Sequence, residues 1–440
     1  MLKERNPMKT VTLTDATREE LLDTLKKRST NSFPEQEQKV AAIIDAVRKD
    51  GDRAVFEFTA KFDGVTINKD NIVVTQAEID RAYENIDKEL LKVIRDAIKN
   101  IRDYHMLQKR ASWFDTKDGI FLGQRILPIA KVGVYVPGGK AVLSSSVLMN
   151  IIPAKVAGVP EIIMVTPPQK SGELNTASVV AAVEAGVDKI LKVGGAQAIA
   201  ALAYGTESIP KVDKIVGPGN IFVALAKKAV YGSVGIDSIA GPSEILVLAD
   251  ETANPRYVAA DLLSQAEHDE LASAILVTTS KELAEKVSVW VDRFTEKLSR
   301  KETIKKSLAD YGCIFIAEDM QQAIDTANAI ASEHLEILTK NPFDTMTYIK
   351  NAGAIFLGEY SSEPLGDYFA GPDHILPTNG TAKFFSPLNV DDFVKKTSVI
   401  SYSKEALEPV YKEITTFAEA EGLTAHANSI YVRFDGEQED

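Results

Sequence analysis

From about Arg125 to Leu357, short runs of β-branched and other apolar residues alternate with helical segments of about a dozen residues. This alternation is typical of βαβ units, which place parallel strands in a sheet that helices cover on both faces. The first series of strand candidates comprises Lys131–Val136, Glu161–Val165, Asp188–Val193, Lys214–Val216 and Glu244–Leu248. The second series comprises Ser273–Val277, Gly312–Ile316, Leu335–Leu338 and Gly353–Leu357. The pattern therefore predicts an α/β protein with two tandem Rossmann-like α/β domains.

Different patterns flank these two series. Roughly the first 110 residues show apolar positions at helical spacing. The helices predicted there are Ala16–Arg28, Pro34–Lys49 and Gln76–Ala111. After about Ser361 the chain is rich in Gly, Pro and Asp, and it closes with a predicted helix over Lys404–Glu421. We predict an N-terminal helical segment (1–124), a first α/β domain (125–250), a second α/β domain (251–360) and a small C-terminal extension (361–440).

The composition excludes several classes of protein. With 50 Lys and Arg against 63 Asp and Glu, the formal charge of −13 repels a phosphate backbone, so we expect no nucleic-acid partner. No stretch approaches the roughly 18 consecutive apolar residues of a membrane span. The first residues also lack the apolar core of a signal peptide. We therefore expect a cytoplasmic protein with no membrane partner. Cys313 is the single cysteine, so nitrogen and oxygen atoms must hold any metal.

Four of the five histidines lie in the second half of the chain, each in a short polar patch with a carboxylate or an amide. They are His268, His334, His374 and His426. Because histidine can bind a transition metal or move a proton near neutral pH, this use of a rare residue indicates one assembled site and an enzyme. The fifth, His105, lies in a helical segment and is interpreted as a packing or hydrogen-bonding residue.

A metal site is predicted from the spacing of Gln265 and His268 in a helix over Asn254–Glu270. At i and i+3 their side chains leave the same helix face and can share a cation. Asp367 and His426 supply one more oxygen and one more nitrogen. Such a set suits zinc or a similar divalent ion in a site open to substrate. The alternative is that Gln265 and His268 are exposed polar residues in a turn.

Glu333 and His334 join a predicted helix, Met320–Ser332, to the strand that begins at Leu335. A carboxylate next to an imidazole at a strand edge can supply two separate proton-transfer groups. The alternative is an ordinary surface helix end, where such a pair is common.

Glycine and proline cluster where the strands of the first series hand over to helices. The clusters are Val136–Gly139, Val193–Gln197, Val216–Asn220 and Ala240–Ser243. Open α/β sheets bind ligands at these strand ends, and the following helix N-termini could hold an anion such as a pyrophosphate. The GxGxxG fingerprint is absent, so a dinucleotide is allowed but not required. The alternative is that these glycines only shape tight turns.

Taken together, the motifs between about residues 35 and 431 closely resemble the histidinol dehydrogenase family. They are Gly133–Gly139, Gly194–Leu202, Val216–Asn220, Ala240–Glu244, Asp261–Asp269, Ser332–Glu336, Gly371–His374, Pro377–Ala382 and Glu421–His426. The resemblance implies a zinc-dependent, four-electron oxidation of L-histidinol to L-histidine through histidinaldehyde, the last step of histidine biosynthesis. Two NAD⁺ molecules are used in succession.

The resemblance also implies roles for particular residues. One zinc ion per subunit would be held by Gln265, His268, Asp367 and His426. His334 would remove the hydroxyl proton, and Glu333 would activate water on the aldehyde. The implied substrate-binding residues are Ser243, Gln265, His268, His334, Asp367, His374, Glu421 and His426. The implied NAD-contacting residues are Tyr135, Gln197 and Asn220.

The family resemblance further implies a homodimer in which the C-terminal piece carrying Glu421 and His426 completes the partner's active site. Two other classes remain open from the residues alone. A zinc-dependent hydrolase or lyase would use the same ligands without needing the glycine-rich strand ends. A silent binding protein for histidine-like ligands would have no need of Glu333 and His334.

Overall fold

The computed structural model describes residues 8–28, 33–138, 143–239 and 241–435. Gly139 and Ala240, which belong to two of the glycine-rich clusters, lie outside the described residues. By its internal contacts the chain divides into two compact units. The first comprises Met1–Gln108 and Ile129–Phe393, and the second comprises Lys109–Pro128 and Val394–Asp440. In the part of the chain that is described, no helix has both the length and the apolar character needed to cross a membrane.

The described residues before Gln108 form a strand and five helices. They are β1 (Lys9–Thr12), α1 (Asp15–Lys26), α2 (Pro34–Asp50), α3 (Asp52–Asp63), α4 (Gln76–Asn85) and α5 (Lys88–Met106). The helices predicted at Ala16 and Pro34 agree with α1 and α2. The single long helix predicted from Gln76 is wrong, because Asp87 leaves the helical conformation and caps a new helix, accepting from the backbone amides of Glu89 and Leu90. Strand β1 and helix α3 were not predicted.

A five-stranded parallel sheet follows in the first unit, with strand order β6-β5-β4-β7-β8. Its strands are β4 (Lys131–Tyr135), β5 (Glu161–Thr166), β6 (Lys189–Lys192), β7 (Lys214–Val216) and β8 (Gly235–Ile236). The connecting helices are α6 (Ser144–Ala157), α7 (Thr176–Ala185), α8 (Gly195–Tyr204) and α9 (Ile221–Val230). Ile163, Leu191 and Ile215 of the sheet share one buried cluster with Ile199 and Leu202 of α8. Tyr135, Gln197 and Asn220 all follow or end strands at the carboxyl edge of this sheet.

A six-stranded parallel sheet forms the second part of this unit, in the order β1-β11-β10-β9-β12-β13. Its further strands are β9 (Glu244–Ala249), β10 (Ser273–Thr278), β11 (Gly312–Ile316), β12 (His334–Leu338) and β13 (Ala354–Leu357). Helices α10 (Pro255–Ala266), α11 (Lys281–Thr295), α12 (Lys301–Tyr311), α13 (Met320–Ile330) and α14 (Pro342–Met346) connect them. The predicted α/β class with parallel sheets is confirmed.

Strand β9 corrects one detail of the prediction. Its residues were assigned to the first series, but β9 is an inner strand of the six-stranded sheet, between β10 and β12. Ile245 and Val247 pack in the cluster that contains α10, α11 and α12, while Leu246 and Leu248 pack on the other face. The first series ends instead at β8, which has only two residues and therefore no recognisable strand pattern. The predicted domain boundaries at residues 125, 251 and 361 stay predictions.

The amino ends of β9 and β12 lie at the same edge of the six-stranded sheet, because the strands are parallel and His334 is in register with Ile245. Ser243 precedes β9, and Glu333 precedes β12. Helix α10 runs back towards the same edge and ends near Gln265. After β13, a short helix α15 (Glu363–Leu365) leads into a π-helical turn over Gly366–Ala370, which carries Asp367.

The second unit contains an antiparallel sheet in the order β14-β3-β2 and three helices. Its elements are β2 (Trp113–Lys117), β3 (Ile120–Pro128), β14 (Val394–Tyr402), α16 (Lys404–Leu407), α17 (Tyr411–Ala420) and α18 (Thr424–Tyr431). The helix predicted over Lys404–Glu421 is therefore interrupted between α16 and α17. The β2–β3 hairpin was not predicted, although Asp118 and Gly119 at its turn, both with positive φ, are a common hairpin signal.

Candidate active site

Glu333 and His334 lie inside the protein, at the start of β12. The preceding helix α13 ends at Ala331, whose φ of 53° turns the chain out of the helix and towards the sheet. Glu333 is 8% exposed and His334 is 3% exposed. A surface helix end would leave both side chains in water, so that alternative is wrong for this pair.

The Glu333 carboxylate contacts a backbone amide and the His334 ring, whose Nδ1 lies 3.6 Å from Glu333 Oε2. Glu333 Oε2 accepts a hydrogen bond of 2.9 Å from the backbone amide of Glu244. Burial raises the pKa of Glu333 to about 7, against the opposing effect of the His334 charge. A carboxyl group with a pKa near neutrality can both accept and release a proton at physiological pH, as a general acid or base must.

The His334 imidazole has a different partner at each nitrogen. Nδ1 lies 3.0 Å from the Glu244 carbonyl oxygen and 3.2 Å from Gln265 Nε2. Nε2 lies 3.6 Å from Asp367 Oδ1. Burial lowers the pKa of His334, but the charge of Glu333 and the contact with Asp367 outweigh it, and the pKa rises to about 9. The two acidic neighbours therefore favour the protonated ring.

Three ligand-type residues lie close enough to bind one cation. Among the described residues, ligand atoms of His334, Glu363 and Asp367 lie within 4.8 Å of one another. Burial acts to raise the pKa of Asp367, but the contacts with His334 and His374 lower it to about 2, so the carboxylate is ionised. Burial and the Asp367 charge raise the pKa of Glu363 to about 8. Glu363 was missed by the sequence analysis, although it lies four residues before Asp367.

Gln265 and His268 border this cluster from the end of α10. The Gln265 side chain is buried, and its Oε1 has no hydrogen-bond partner among the residues that are described. A buried oxygen without a donor is costly, and a cation would satisfy it. His268 follows in an exposed turn. Partial desolvation lowers its pKa and the Asp367 charge raises it, so these two side chains interact. The residues present thus fit a divalent ion with nitrogen and oxygen ligands.

His374 and Ser243 are placed differently with respect to the cluster. His374 Nδ1 lies 3.0 Å from the Asp367 carbonyl oxygen, and its Nε2 lies 3.2 Å from Ser146 Oγ of α6. Burial lowers the pKa of His374, which favours the neutral ring. Ser243 is partly buried at the amino edge of the sheet, where its carbonyl accepts from the amide of Ser273. His374 thus contacts Asp367, and Ser243 lies just before β9, at the strand edge that carries Glu333 and His334.

Glu421 and His426 belong to the second unit. Glu421 is the residue at which α17 ends, and His426 lies in α18. Both side chains are exposed. Their predicted parts in substrate and metal binding stay predictions.

The three predicted NAD-contacting residues lie at the carboxyl edge of the five-stranded sheet. Tyr135 is buried, and its hydroxyl accepts a hydrogen bond of 3.2 Å from the Gly195 amide. Asn220 caps α9 by accepting from the amides of Phe222 and Val223. Gln197, in the first turn of α8, is 1% exposed, and neither of its amide atoms has a hydrogen-bond partner among the described residues. A polar ligand at this edge would satisfy that amide.

The fold and the cluster define a class of protein: an α/β chain with a carboxylate and an imidazole placed for acid–base chemistry at the edge of a parallel sheet. The sequence profile of histidinol dehydrogenases matches residues 26–434. The chain belongs to the histidinol dehydrogenase family and is an enzyme, as the motifs predicted.

Individual relatives agree over nearly the whole length. The chain is 56% identical to a histidinol dehydrogenase of Halalkalibacterium halodurans over 432 residues, which cover 98% of this chain and 100% of that protein. It is 58% identical to one of Bacillus subtilis over 409 residues, which cover 92% and 95%. The crystal structure of histidinol dehydrogenase from Elizabethkingia anophelis superposes with a TM-score of 0.93 at 36% identity, covering 98% of this chain and 99% of that one.

Proposed function

We propose that this protein oxidises L-histidinol to L-histidine through histidinaldehyde and uses two NAD⁺ molecules in succession for each histidinol. Each subunit holds one zinc ion. The observation that carries this proposal is the buried Glu333–His334 pair beside Gln265 and Asp367, in a chain that belongs to the histidinol dehydrogenase family. Family membership also favours this oxidation over the hydrolase, lyase and binding-protein alternatives.

Zinc is the metal proposed, held by Gln265, His268, Asp367 and His426. Two observations support this assignment: Gln265 Oε1 has no hydrogen-bond partner among the described residues, and Asp367 is ionised. When bound, zinc would hold the amino and imidazole nitrogens of the substrate and neutralise Asp367, which lowers the pKa of His334. Glu363 could supply a further oxygen ligand, because its carboxylate lies within 4.8 Å of ligand atoms of His334 and Asp367.

His334 and Glu333 accept protons in different half-reactions of this proposal. With a neutral ring, His334 takes the proton from the substrate hydroxyl as hydride leaves for NAD⁺. The second oxidation needs water on the aldehyde, and Glu333, with a pKa of about 7, can take a proton from that water. Two groups are therefore needed because the two half-reactions remove protons from two different oxygens.

The remaining residues bind and orient. Ser243, His374 and Glu421, together with the metal ligands and His334, contact the substrate in this proposal. Tyr135, Gln197 and Asn220 contact NAD⁺ in this proposal. The buried amide of Gln197, which has no hydrogen-bond partner in the described part of the chain, supports a polar ligand there. We also propose a cytoplasmic homodimer in which Glu421 and His426 of one subunit complete the site of the other.

An absorbance assay at the NADH band tests the proposal. Adding histidinol and NAD⁺ to the purified protein should produce NADH, and prior treatment with a chelator should abolish it until zinc is restored. No NADH from the zinc-loaded protein would contradict the function. Undiminished NADH after complete metal removal would contradict the role of zinc alone.

A further inference from the structure

One residue of the six-stranded sheet touches both proposed proton-transfer groups through its backbone. The amide of Glu244 donates to Glu333 Oε2 at 2.9 Å, and the carbonyl oxygen of Glu244 lies 3.0 Å from His334 Nδ1. The position of residue 244 therefore sets the position of two side chains on the neighbouring strand.

The side chain of Glu244 pairs with Arg28, which lies two residues after the end of α1. The two side chains form an ion pair and are 0% (Arg28) and 3% (Glu244) exposed. Arg28 also donates at 2.7 Å to the carbonyl oxygen of Leu271, in the turn that carries His268. Its guanidinium lies over the Tyr311 ring at 5.3 Å. A buried carboxylate is costly without a partner, so Arg28 decides where Glu244 can lie.

The proton on His334 follows from this arrangement. His334 Nδ1 lies 3.0 Å from the Glu244 carbonyl oxygen, which can only accept, and 3.2 Å from Gln265 Nε2, which can only donate. The carbonyl makes the shorter contact, and Glu333 Oε2 lies 3.6 Å from the same nitrogen, so together they favour a proton on Nδ1 in the neutral ring. Its other nitrogen, Nε2, lies 3.6 Å from Asp367 Oδ1 and would carry the lone pair when the Asp367 charge is neutralised by a bound cation. A general base needs that lone pair. Loss of the contact with residue 244 weakens the preference for a proton on Nδ1, because Gln265 Nε2 and Asp367 Oδ1 favour the other tautomer.

We propose that Arg28 and Glu244 are positioning residues, which fix the His334 ring and Glu333 by anchoring the backbone of residue 244. The inference rests on the proposed roles of those two groups. Neither Arg28 nor the side chain of Glu244 needs to touch the substrate. Arg28 joins the start of β9 to the turn after α10, and so holds two segments of the site in one arrangement.

Arg28→Ala is the variant that tests the inference, with Arg18→Ala as its matched control. Arg18 lies on α1, the helix that ends two residues before Arg28, and its ion pair is with Asp15 at the protein surface. We expect Arg28→Ala to lower kcat by roughly 10–100-fold, the usual effect of losing a group that orients an active-site residue, while the KM for histidinol changes little. Guanidinium ions, below the concentration that unfolds the protein, should restore part of kcat. Sodium chloride at the same ionic strength should not.

The tautomer of His334 is a second readout that does not depend on turnover. In zinc-loaded protein labelled with ¹⁵N-histidine, the His334 signals are identified by their loss in His334→Asn. Wild type and Arg18→Ala should show the proton on Nδ1, and Arg28→Ala should show a mixture. A wild-type ring protonated on Nε2, or an Arg28→Ala variant with unchanged tautomer and kcat, overturns the inference. A protein inactive on histidinol but with the expected tautomers would contradict only the proposed function.

If Arg28→Ala does not fold, the double variant Arg28→Met with Glu244→Met removes both buried charges together. Such apolar replacements of buried pairs are often neutral for stability. We expect the folded double variant to show the mixed tautomer and the lower kcat. Retention of the wild-type tautomer and kcat in this variant overturns the inference.

Discussion

Lys227 and Asp237 form a buried ion pair, and both side chains hydrogen-bond to the backbone of Gly217. Lys227 Nζ donates to the Gly217 carbonyl oxygen at 2.9 Å, and the Gly217 amide donates to Asp237 Oδ2 at 2.7 Å. Gly217 has a φ of +112°, and a Cβ there would lie 2.1 Å from the Tyr135 carbonyl oxygen. The glycine therefore shapes the loop that leads to Asn220.

Lys227→Met should destabilise the protein by roughly 3–5 kcal/mol, because it leaves the Asp237 carboxylate buried without its cation. The same change should raise the KM for NAD⁺, since the loop before Asn220 loses its anchor. Urea unfolding and steady-state kinetics measure the two effects. Lys228→Met is the control, because Lys228 pairs with Glu37 at the surface and its loss should cost less than about 1 kcal/mol. Equal destabilisation by the two variants would contradict the account.

The sequence predicted most of the first unit because its sheets are parallel and buried on both faces. Their strands are continuous apolar runs, which the alternation with helices makes recognisable. Sheet membership is not encoded locally, so Glu244–Ala249 was assigned to the wrong sheet. Strand β1 is four residues long with mixed exposure, and it is a strand only because it pairs with β11. Such elements depend on tertiary contacts that no local pattern reports.

Sequence patterns revealed the part of the site that is built from histidines, which are rare in this chain. They missed the roles of two glutamates, a residue type that is common. Histidines drew attention to His334, whose contacts with Gln265 and Asp367 the structure shows. Glu363 and Glu244 gave no such signal, because a glutamate in a charged chain is unremarkable until it is buried. Glu363 is 2% exposed, and its amide donates to Glu336 Oε1. Burial of a carboxylate is a tertiary property, so sequence patterns could not reveal these two residues.

The metal assignment predicts that His268→Asn and His426→Asn lose zinc and the ability to oxidise histidinol. Each change removes one of four proposed protein ligands from a site that must also hold substrate. Elemental analysis of the purified variants measures the zinc, and circular dichroism checks that they are folded. Full zinc occupancy in both variants would show that the ligands are other residues, with Glu363 and His334 the next to test.

The active site is predicted to be shared between two subunits. Co-expression of a His268→Asn chain with a His426→Asn chain should restore activity, because a crossed dimer has one site with both lesions and one with neither. Mixed dimers should have about half of wild-type activity, and a random mixture roughly a quarter. Tagging the two chains differently shows whether mixed dimers have formed. Inactive mixed dimers would mean that each site is built from one chain.

Glu333 and His334 should affect different half-reactions. Glu333→Gln should still oxidise histidinol to the aldehyde level but should fail on supplied histidinaldehyde, because only the second step needs activated water. His334→Asn should slow the alcohol step by about 10²–10⁴-fold, the usual loss for a missing general base. The rates of histidinol oxidation and histidinaldehyde oxidation, measured separately for each variant, test this division. Equal loss of both half-reactions in Glu333→Gln would refute this division of roles.

The number of NADH molecules formed per histidinol consumed tests the central claim most directly. A limiting, weighed amount of histidinol is converted to completion with excess NAD⁺, NADH is read by absorbance, and the product is identified by chromatography. A four-electron oxidation predicts two NADH for each histidinol, with L-histidine as the product. One NADH for each histidinol, with histidinaldehyde accumulating, would contradict the account.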